Sequence, residues 1–218
     1  MFLDIFGAIT SFLATFYFIR LHSSAWLISL VAISLNSWLY WQKGIYADMV
    51  LELFYFITTC YGWFYWRHTN KNSYQSILTL NLNQWLLLLI AISALFLTIY
   101  FALIYFTNSD IATLDALTTS LSLVGQWLMC YKFIATWLIW FFTDAIYAYL
   151  YWQKQIPFHA LLMTLYTFMA LYGYYSWLKI LQHTRTKHGL KRMKQAMKTV
   201  PKSSAMKEKS KVVFSPKV

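Results

Sequence analysis

The sequence predicts an all-α integral membrane protein whose seven transmembrane helices form parallel 3+1+3 repeats. Three observations lead to this fold class. Of the 218 residues, 60% are hydrophobic and 11% are charged, seven apolar segments are each long enough to cross a bilayer, and one sequence pattern recurs 111 residues later. About a quarter of the residues of an ordinary soluble domain are charged, so the composition excludes that class of protein.

The seven apolar segments are the predicted transmembrane helices. A helix needs about 20 apolar residues to cross the hydrocarbon core, because backbone polar groups find no water there and must bond within the segment. Asp4 stands where a signal peptide would carry a basic residue, so we expect the first segment to be retained. The predicted segments are residues 2–19, 25–41, 45–66, 82–106, 113–131, 133–152 and 157–181.

An internal repeat organises these segments. Residues 39–43 and 150–154 both read Leu-Tyr-Trp-Gln-Lys, an offset of 111. The same offset aligns Trp26 with Trp137, Tyr55 with Tyr166, Gly62 with Gly173 and Trp66 with Trp177. Segments one to three therefore correspond to five to seven, and we expect repeat one at about 1–66, a connector helix at about 82–106 and repeat two at about 113–181. Parallel repeats of this kind bind substrate between them, near mid-membrane.

The formal net charge of +11 comes from the end of the chain. Residues 1–178 carry six basic and six acidic residues, whereas the last 40 residues carry twelve basic residues and one acid. Because Lys and Arg concentrate on the cytoplasmic side of a membrane, residues 182–218 are predicted to form a basic cytoplasmic tail and the N-terminus to lie outside. The tail beside an apolar body favours membrane lipid, and not nucleic acid, as its partner.

One acid lies near the middle of segment six. Trp137, Trp140, Asp144 and Tyr147 are spaced to share a helical face. An ionised carboxylate at mid-membrane costs at least roughly 2.5–3.5 kcal/mol, so Asp144 needs water, a hydrogen-bond partner or a cation. Two nearby indoles predict a pocket for a planar organic cation. The alternative is that the tryptophans face lipid and Asp144 is protonated.

Other segments supply neutral and acidic polar groups. Segment five carries Thr119, Ser122 and Gln126 on one face, which suits a ribose or a carboxamide. Segment two carries Asn36. In segment three, Asp48, Glu52 and Tyr55 follow the same helical spacing. Across the repeat, Asp144 aligns with Ile33 and Glu52 with Met163, so the predicted binding site is asymmetric and fits a substrate with different groups at its two ends.

Motifs for other chemistries are missing from the sequence. It has no hydrolase, zinc-protease or nucleotide-binding motif, and its two cysteines have no C-x-x-C spacing. We therefore expect a protein that is not an enzyme, with no catalytic residue, no metal and no cofactor. The alternative from another class is an intramembrane enzyme that uses Asp48, Glu52 or Asp144 as acid and base.

Four sequence runs resemble a known family. They are Trp137-x-x-Trp140-x-x-x-Asp144, Leu121-Ser-Leu-Val-Gly-Gln126-Trp127, Tyr46-Ala-Asp48 and Tyr61-Gly-Trp63-x-x-Trp66. Together they resemble the bacterial nicotinamide riboside transporters of the PnuC family, over about residues 1–181. The resemblance implies a fold related to SWEET sugar transporters and an inner-membrane facilitator that takes up a vitamin B3 precursor for NAD biosynthesis. A cytoplasmic kinase, coupled only through metabolism, would trap the substrate.

One position departs from the family pattern and leaves a second substrate open. Ala135-Thr136 stand where the family has Glu-Asn, so thiamine or another vitamin or nucleoside is the alternative. A phosphorylated mononucleotide fits poorly, because we expect no buried Arg or Lys in the body to hold its phosphate.

The resemblance and the residue pattern together give expected roles. Trp137 and Trp140 would stack on the pyridinium ring, Gln126 would bond the carboxamide, and Asp144 would pair with the cation. The remaining predicted substrate-binding residues are Asn36, Tyr55, Ser122 and Tyr147. Asp48, Glu52 and Thr119 would line the pathway. Association of several copies of the chain is left open.

Overall fold

The computed structural model describes residues 2–43, 46–69, 77–106, 111–153, 155 and 157–199. These residues form seven helices, which confirms the all-α prediction. The helices are α1 (Phe2–Ile19), α2 (Ser24–Lys43), α3 (Tyr46–Thr69), α4 (Leu82–Phe106), α5 (Ala112–Cys130), α6 (Ala135–Gln153) and α7 (Pro157–Thr199).

The last helix is longer than its apolar segment. We predicted an end at residue 181, but α7 continues to Thr199. The chain divides at that predicted end into two units, Met1–Leu181, called the body here, and Gln182–Val218. Hydropathy missed the final turns because they are rich in Lys and Arg, which are good helix formers but not apolar. Within the second unit, Leu190 and Met193 are exposed.

Helix α4 packs on the rest of the body along one face only. It begins with a capping box, in which the Asn81 side chain accepts the Gln84 backbone N–H at 2.8 Å and the Gln84 side chain accepts the Asn81 backbone N–H at 2.9 Å. None of its residues is buried in the body, and it is long and apolar enough to cross a membrane. One face packs on α5 and α6 through Trp85, Leu88, Ile92 and Leu95, which contact a core of Val124, Leu128, Ala135 and Ile139.

A short extended segment before α4 fixes the connection between α5 and α6. The Leu78 N–H donates to the Lys132 carbonyl at 3.0 Å, and the Ile134 N–H donates to the Leu78 carbonyl at 2.9 Å. Lys132 has a positive φ of 57°, and Leu21, which lies 111 residues earlier, has a φ of 56°. The same backbone bend therefore occurs after α1 and after α5.

Lys132 corrects one expectation. We expected no buried Lys or Arg in the body, but the Lys132 side chain is 3% exposed. Its ammonium nitrogen lies 4.6 Å from the centre of the Trp66 ring, a cation–π contact. Burial lowers the pKa of Lys132 to about 8, because removing an ammonium from water disfavours its charged form.

Four buried tryptophans form the centre of the body's apolar core. This tryptophan cluster consists of Trp26, Trp66, Trp137 and Trp177, each at most 4% exposed. The rings of Trp26 and Trp66 pack edge to face at 5.4 Å, and those of Trp137 and Trp177 do the same at 5.4 Å. Trp66 and Trp177 then join the two pairs at 6.5 Å.

Two of these indoles satisfy the ends of helices. Trp66 of α3 donates its indole N–H to the carbonyls of Met129 and Cys130, at 3.3 and 2.9 Å, where α5 ends. Trp177 of α7 donates to the carbonyls of Phe18 and Ile19, at 3.3 and 3.1 Å, where α1 ends. The last carbonyls of a helix have no partner within it. These bonds therefore satisfy groups that would otherwise be costly, and they recur at the offset of 111.

The other two tryptophans need glycine opposite them. A side-chain carbon on Gly173 would lie 2.6 Å from ring atoms of Trp137, and one on Gly62 would overlap the Trp26 ring. We predict that Gly173→Ala and Gly62→Ala each lower the free energy of unfolding by roughly 1–3 kcal/mol, because the packed core cannot accept an added methyl group. Thermal unfolding of the purified protein in detergent measures this.

Gly189→Ala is the matched control for that prediction. Nothing lies within 4 Å of the side-chain carbon it would add. In a helix interior alanine is favoured over glycine, so this variant should melt at the wild-type temperature or slightly above it. Equal melting temperatures for Gly173→Ala and Gly189→Ala would contradict the packing described for Trp137.

Candidate functional site

Side chains from five helices form a polar cluster inside the body. The Tyr55 hydroxyl of α3 hydrogen-bonds with Ser122 of α5, and Tyr55 lies within electrostatic range of Glu52, Tyr147 and Asp144. Tyr166 of α7 also lies within range of Asp144 and hydrogen-bonds with Ser11 of α1. We call this set the central polar cluster: Ser11, Glu52, Tyr55, Ser122, Asp144, Tyr147 and Tyr166.

Asp144 places a carboxyl group in this cluster. It lies in the middle of α6, half-buried, one helical turn after Trp140. Among the described residues, no Lys or Arg forms an ion pair with it. The phenols of Tyr55 and Tyr166 lie within electrostatic range of it and are neutral at physiological pH. When ionised, the carboxylate in this setting would attract a cationic ligand.

Asn36 and Glu52 join α2 to α3 beside the central polar cluster. The Asn36 amide nitrogen donates to a carboxylate oxygen of Glu52 at 3.3 Å, and Glu52 is 9% exposed. A side-chain carbon on Gly7 would lie 2.8 Å from the Asn36 carbonyl oxygen, so a glycine in α1 leaves room for this side chain. Two of the predicted residues are thus in direct contact.

The Gln126 side chain of α5 is hydrogen-bonded to a residue of α3. Its amide nitrogen donates to the Thr59 hydroxyl at 3.1 Å, and this bond joins α5 to α3. Gln126 is half-buried, whereas Thr59 is fully buried. The amide is therefore oriented by a residue that lies one helical turn from Tyr55.

The two predicted stacking residues occupy different environments. Trp137 belongs to the tryptophan cluster, is 2% exposed, and has an indole N–H without an acceptor among the described residues. Trp140 is half-buried and packs against α5, where a side-chain carbon on Gly125 would lie 3.3 Å from its indole nitrogen. Of the two residues, Trp140 is the more exposed, and the stacking roles predicted for both stay predictions.

The remaining predicted residues are distributed around the cluster. Tyr147 stacks on Tyr151 at 6.1 Å, with its ring planes 19° apart. Thr119 is half-buried in α5, and the structure shows no hydrogen bond from it to another described residue. Asp48 lies in α3, but its side chain is outside the described part of the chain. The pathway roles of Asp48 and Thr119 stay predictions.

Three residues of this region were missed in the sequence. Ser11 and Tyr166 belong to the central polar cluster, and Thr59 holds Gln126. The offset of 111 could have found the first two, since Ser11 aligns with Ser122 and Tyr166 aligns with Tyr55. The pairs Tyr55–Ser122 and Tyr166–Ser11 are equivalent at this offset, and each joins a helix of one half to a helix of the other; Tyr166 also donates its hydroxyl to the Ala8 carbonyl at 3.5 Å.

Other polar residues of the site occur in one half only. Asp144, Glu52, Asn36 and Gln126 align with Ile33, Met163, Tyr147 and Thr15, respectively. The structure thus combines contacts that repeat, made by tryptophan, tyrosine and serine, with charged and amide groups that do not. The groups with most chemical specificity are therefore arranged asymmetrically.

Comparison with known proteins identifies the class of molecule. Residues 1–179 match the family model described as nicotinamide mononucleotide transporter. The nicotinamide riboside transporter PnuC of Neisseria mucosa is 25% identical over 190 residues, which cover 81% of this chain and 72% of that protein. The transporter of the same name from Escherichia coli is 25% identical over 183 residues, covering 71% of this chain and 76% of that one.

A solved structure has the same fold. A crystal structure of the vitamin B3 transporter PnuC aligns with a TM-score of 0.69 and 24% sequence identity, over 84% of this chain and 83% of that one. The family match covers the first six helices and extends into α7. The chain therefore belongs to the nicotinamide mononucleotide transporter family and is a multi-pass inner-membrane transporter, not an enzyme.

Proposed function

We propose that this chain takes up nicotinamide riboside by facilitated diffusion with alternating access. The observation that carries the substrate assignment is the position of the Asp144 carboxyl group inside the body. It lies near the neutral phenols of Tyr55 and Tyr166 and one helical turn from Trp140. Nicotinamide riboside carries a fixed positive charge on an aromatic ring. A carboxylate supplies its counter-charge, and an indole face supplies stacking and cation–π attraction.

The other groups of the site match the rest of that substrate. The Gln126 amide suits the carboxamide, and the hydroxyls of Tyr55 and Ser122 suit the ribose, since all of these are hydrogen-bonding groups held inside the body. Asn36 and Glu52 are paired beside them and would shape the entrance from one side. The curated relatives from Neisseria and Escherichia are named for this same substrate.

The phosphorylated mononucleotide, for which the family model is named, fits the site less well. A phosphate needs Arg or Lys as its partner. The buried Lys132 precedes α6, and about 13 Å of helix separates the start of α6 from Asp144. Its ammonium group lies over Trp66, so it does not belong to the central polar cluster.

Alternating access is supported by the repeated contacts. Equivalent hydrogen bonds from Trp66 and Trp177 and equivalent bends at Leu21 and Lys132 recur at the offset of 111. Tyr55 and Tyr166 each pair with a serine at the same offset. We propose that α1–α3 and α5–α7 are parallel repeats joined by α4. They would rock about the central polar cluster, as parallel repeats do around a site near mid-membrane.

Orientation and partners follow from charge and surface. Arg20, Arg67 and Lys132 would face the cytoplasm together with the basic tail, and the N-terminus would lie outside. The exposed apolar face of α4 would contact lipid. Further copies of the chain are compatible with the large apolar surface, and a cytoplasmic kinase would trap the substrate without touching the transporter.

Replacing Asp144 tests the proposed counter-charge. We predict that Asp144→Asn lowers uptake of nicotinamide riboside into proteoliposomes at least about tenfold, because the cation loses its charged partner inside the protein. Asp115→Asn is the matched control: it removes the same charge from the first turn of α5 and should retain most of the uptake. Equal losses in the two variants would contradict a specific role for Asp144.

A binding panel separates the proposed substrate from its rivals. Purified protein should bind nicotinamide riboside more tightly than thiamine, and should bind riboflavin weakly, since riboflavin is larger and has no positive charge. Isothermal titration in detergent measures all three affinities. Tight thiamine binding together with no binding of nicotinamide riboside would favour the thiamine alternative and overturn the assignment.

A further inference from the structure

The hydrogen bond between Gln126 and Thr59 differs from the other threonine contacts around it. Thr58, the preceding residue and also buried, donates its hydroxyl to the carbonyls of Phe54 and Tyr55 in its own helix, at 3.0 and 3.1 Å. A threonine in a membrane helix commonly does this. The hydroxyl of the fully buried Thr59 instead meets the Gln126 amide nitrogen of another helix at 3.1 Å.

This pair is not part of the repeated scaffold. At the offset of 111, Gln126 aligns with Thr15 and Thr59 aligns with Ala170. The Thr15 hydroxyl donates to the Ser11 carbonyl in its own helix, at 3.0 Å, and the alanine has no hydrogen-bonding side chain. The scaffold therefore does not need a Gln–Thr contact, and its formation at only one of the two equivalent positions points to a role in recognising substrate.

The geometry of an amide makes the contact directional. The carbonyl oxygen and the amino group of a glutamine side chain point in different directions from one planar group, and the first accepts where the second donates. The Thr59 hydroxyl engages the amino group, so the carbonyl oxygen points in another direction, and none of the hydrogen bonds found among the described residues ends on it.

We infer that Thr59 is a positioning residue that orients the Gln126 amide, so that its carbonyl oxygen faces the substrate and selects a carboxamide over a carboxylate. This inference rests on the proposed function. A carboxamide N–H donates to such an oxygen. A carboxylate offers only acceptors, so the acid analogue of the riboside would place two acceptors together, with no proton between them.

The experiment compares two ligands that differ at one group. Wild-type protein and variants, purified as monodisperse material, are reconstituted and assayed for uptake of nicotinamide riboside and of the analogue with a carboxylate in place of the carboxamide. Thr59→Val removes the hydroxyl at nearly constant volume, and Thr59→Ala is a second variant in case the first does not fold. Thr59→Ser keeps the hydroxyl, and Thr58→Val is the matched control on the adjacent residue.

The inference predicts a change in selectivity and not a uniform loss. In Thr59→Val, the KM for the carboxamide should rise roughly three- to tenfold with a similar maximal rate, the size expected for one hydrogen bond. The KM for the acid should stay constant or fall. Thr59→Ser should keep the wild-type ratio of the two KM values, and Thr58→Val should leave that ratio unchanged. In a Gln126→Ala background, Thr59→Val should have no further effect on the ratio.

Two results would overturn the inference in distinguishable ways. Wild-type uptake of nicotinamide riboside with undiminished discrimination in both Thr59→Val and Thr59→Ala would overturn the role of Thr59 alone. Absence of nicotinamide riboside uptake by the wild-type protein would overturn the proposed function and this inference together.

Discussion

Reciprocal hydrogen bonds from two tryptophans hold the ends of the helices in this transporter. In a membrane protein, the carbonyls that end a helix have little water to bond, and leaving them unsatisfied is costly. Trp66 satisfies the end of α5 and Trp177 satisfies the end of α1. Each donor therefore comes from the half of the body that does not contain its acceptor. These bonds tie the two halves together, and the packing of Trp26 and Trp137 against glycines surrounds them with a dense apolar core.

The residues that would recognise the substrate differ from this scaffold in that most of them do not repeat at the offset of 111. The bonds Tyr55–Ser122 and Tyr166–Ser11 repeat with the scaffold, whereas Asp144 and Gln126 have an isoleucine and a threonine at the equivalent positions. A duplicated body would by itself present a symmetric interior. Replacing residues in one half gives that interior a charged side and an amide side, which is what a ligand with an aromatic cation and a carboxamide requires.

The sequence predicted the number of helices and the limits of α1 and α4, because long apolar segments in a protein of this composition have few other structures available. It missed the end of α7, since hydropathy does not detect a basic helical extension. The helical spacing of Trp137 and Trp140 also could not show that one of them is buried and the other half-buried. The helical face that they share is wide enough for one indole to enter the core while the other stays half-exposed. Lys132 was missed as a buried group because its burial depends on Trp66, which is far from it in the chain.

The central claim is that the positive charge of the substrate is the counter-charge of Asp144. The most direct measurement compares binding of nicotinamide riboside with binding of its reduced dihydropyridine form, which has nearly the same shape and the same carboxamide and ribose but no positive charge. Affinity for the oxidised form should be at least about tenfold higher in the wild-type protein, and this preference should disappear in Asp144→Asn. Equal affinity of the wild-type protein for both forms would contradict the claim.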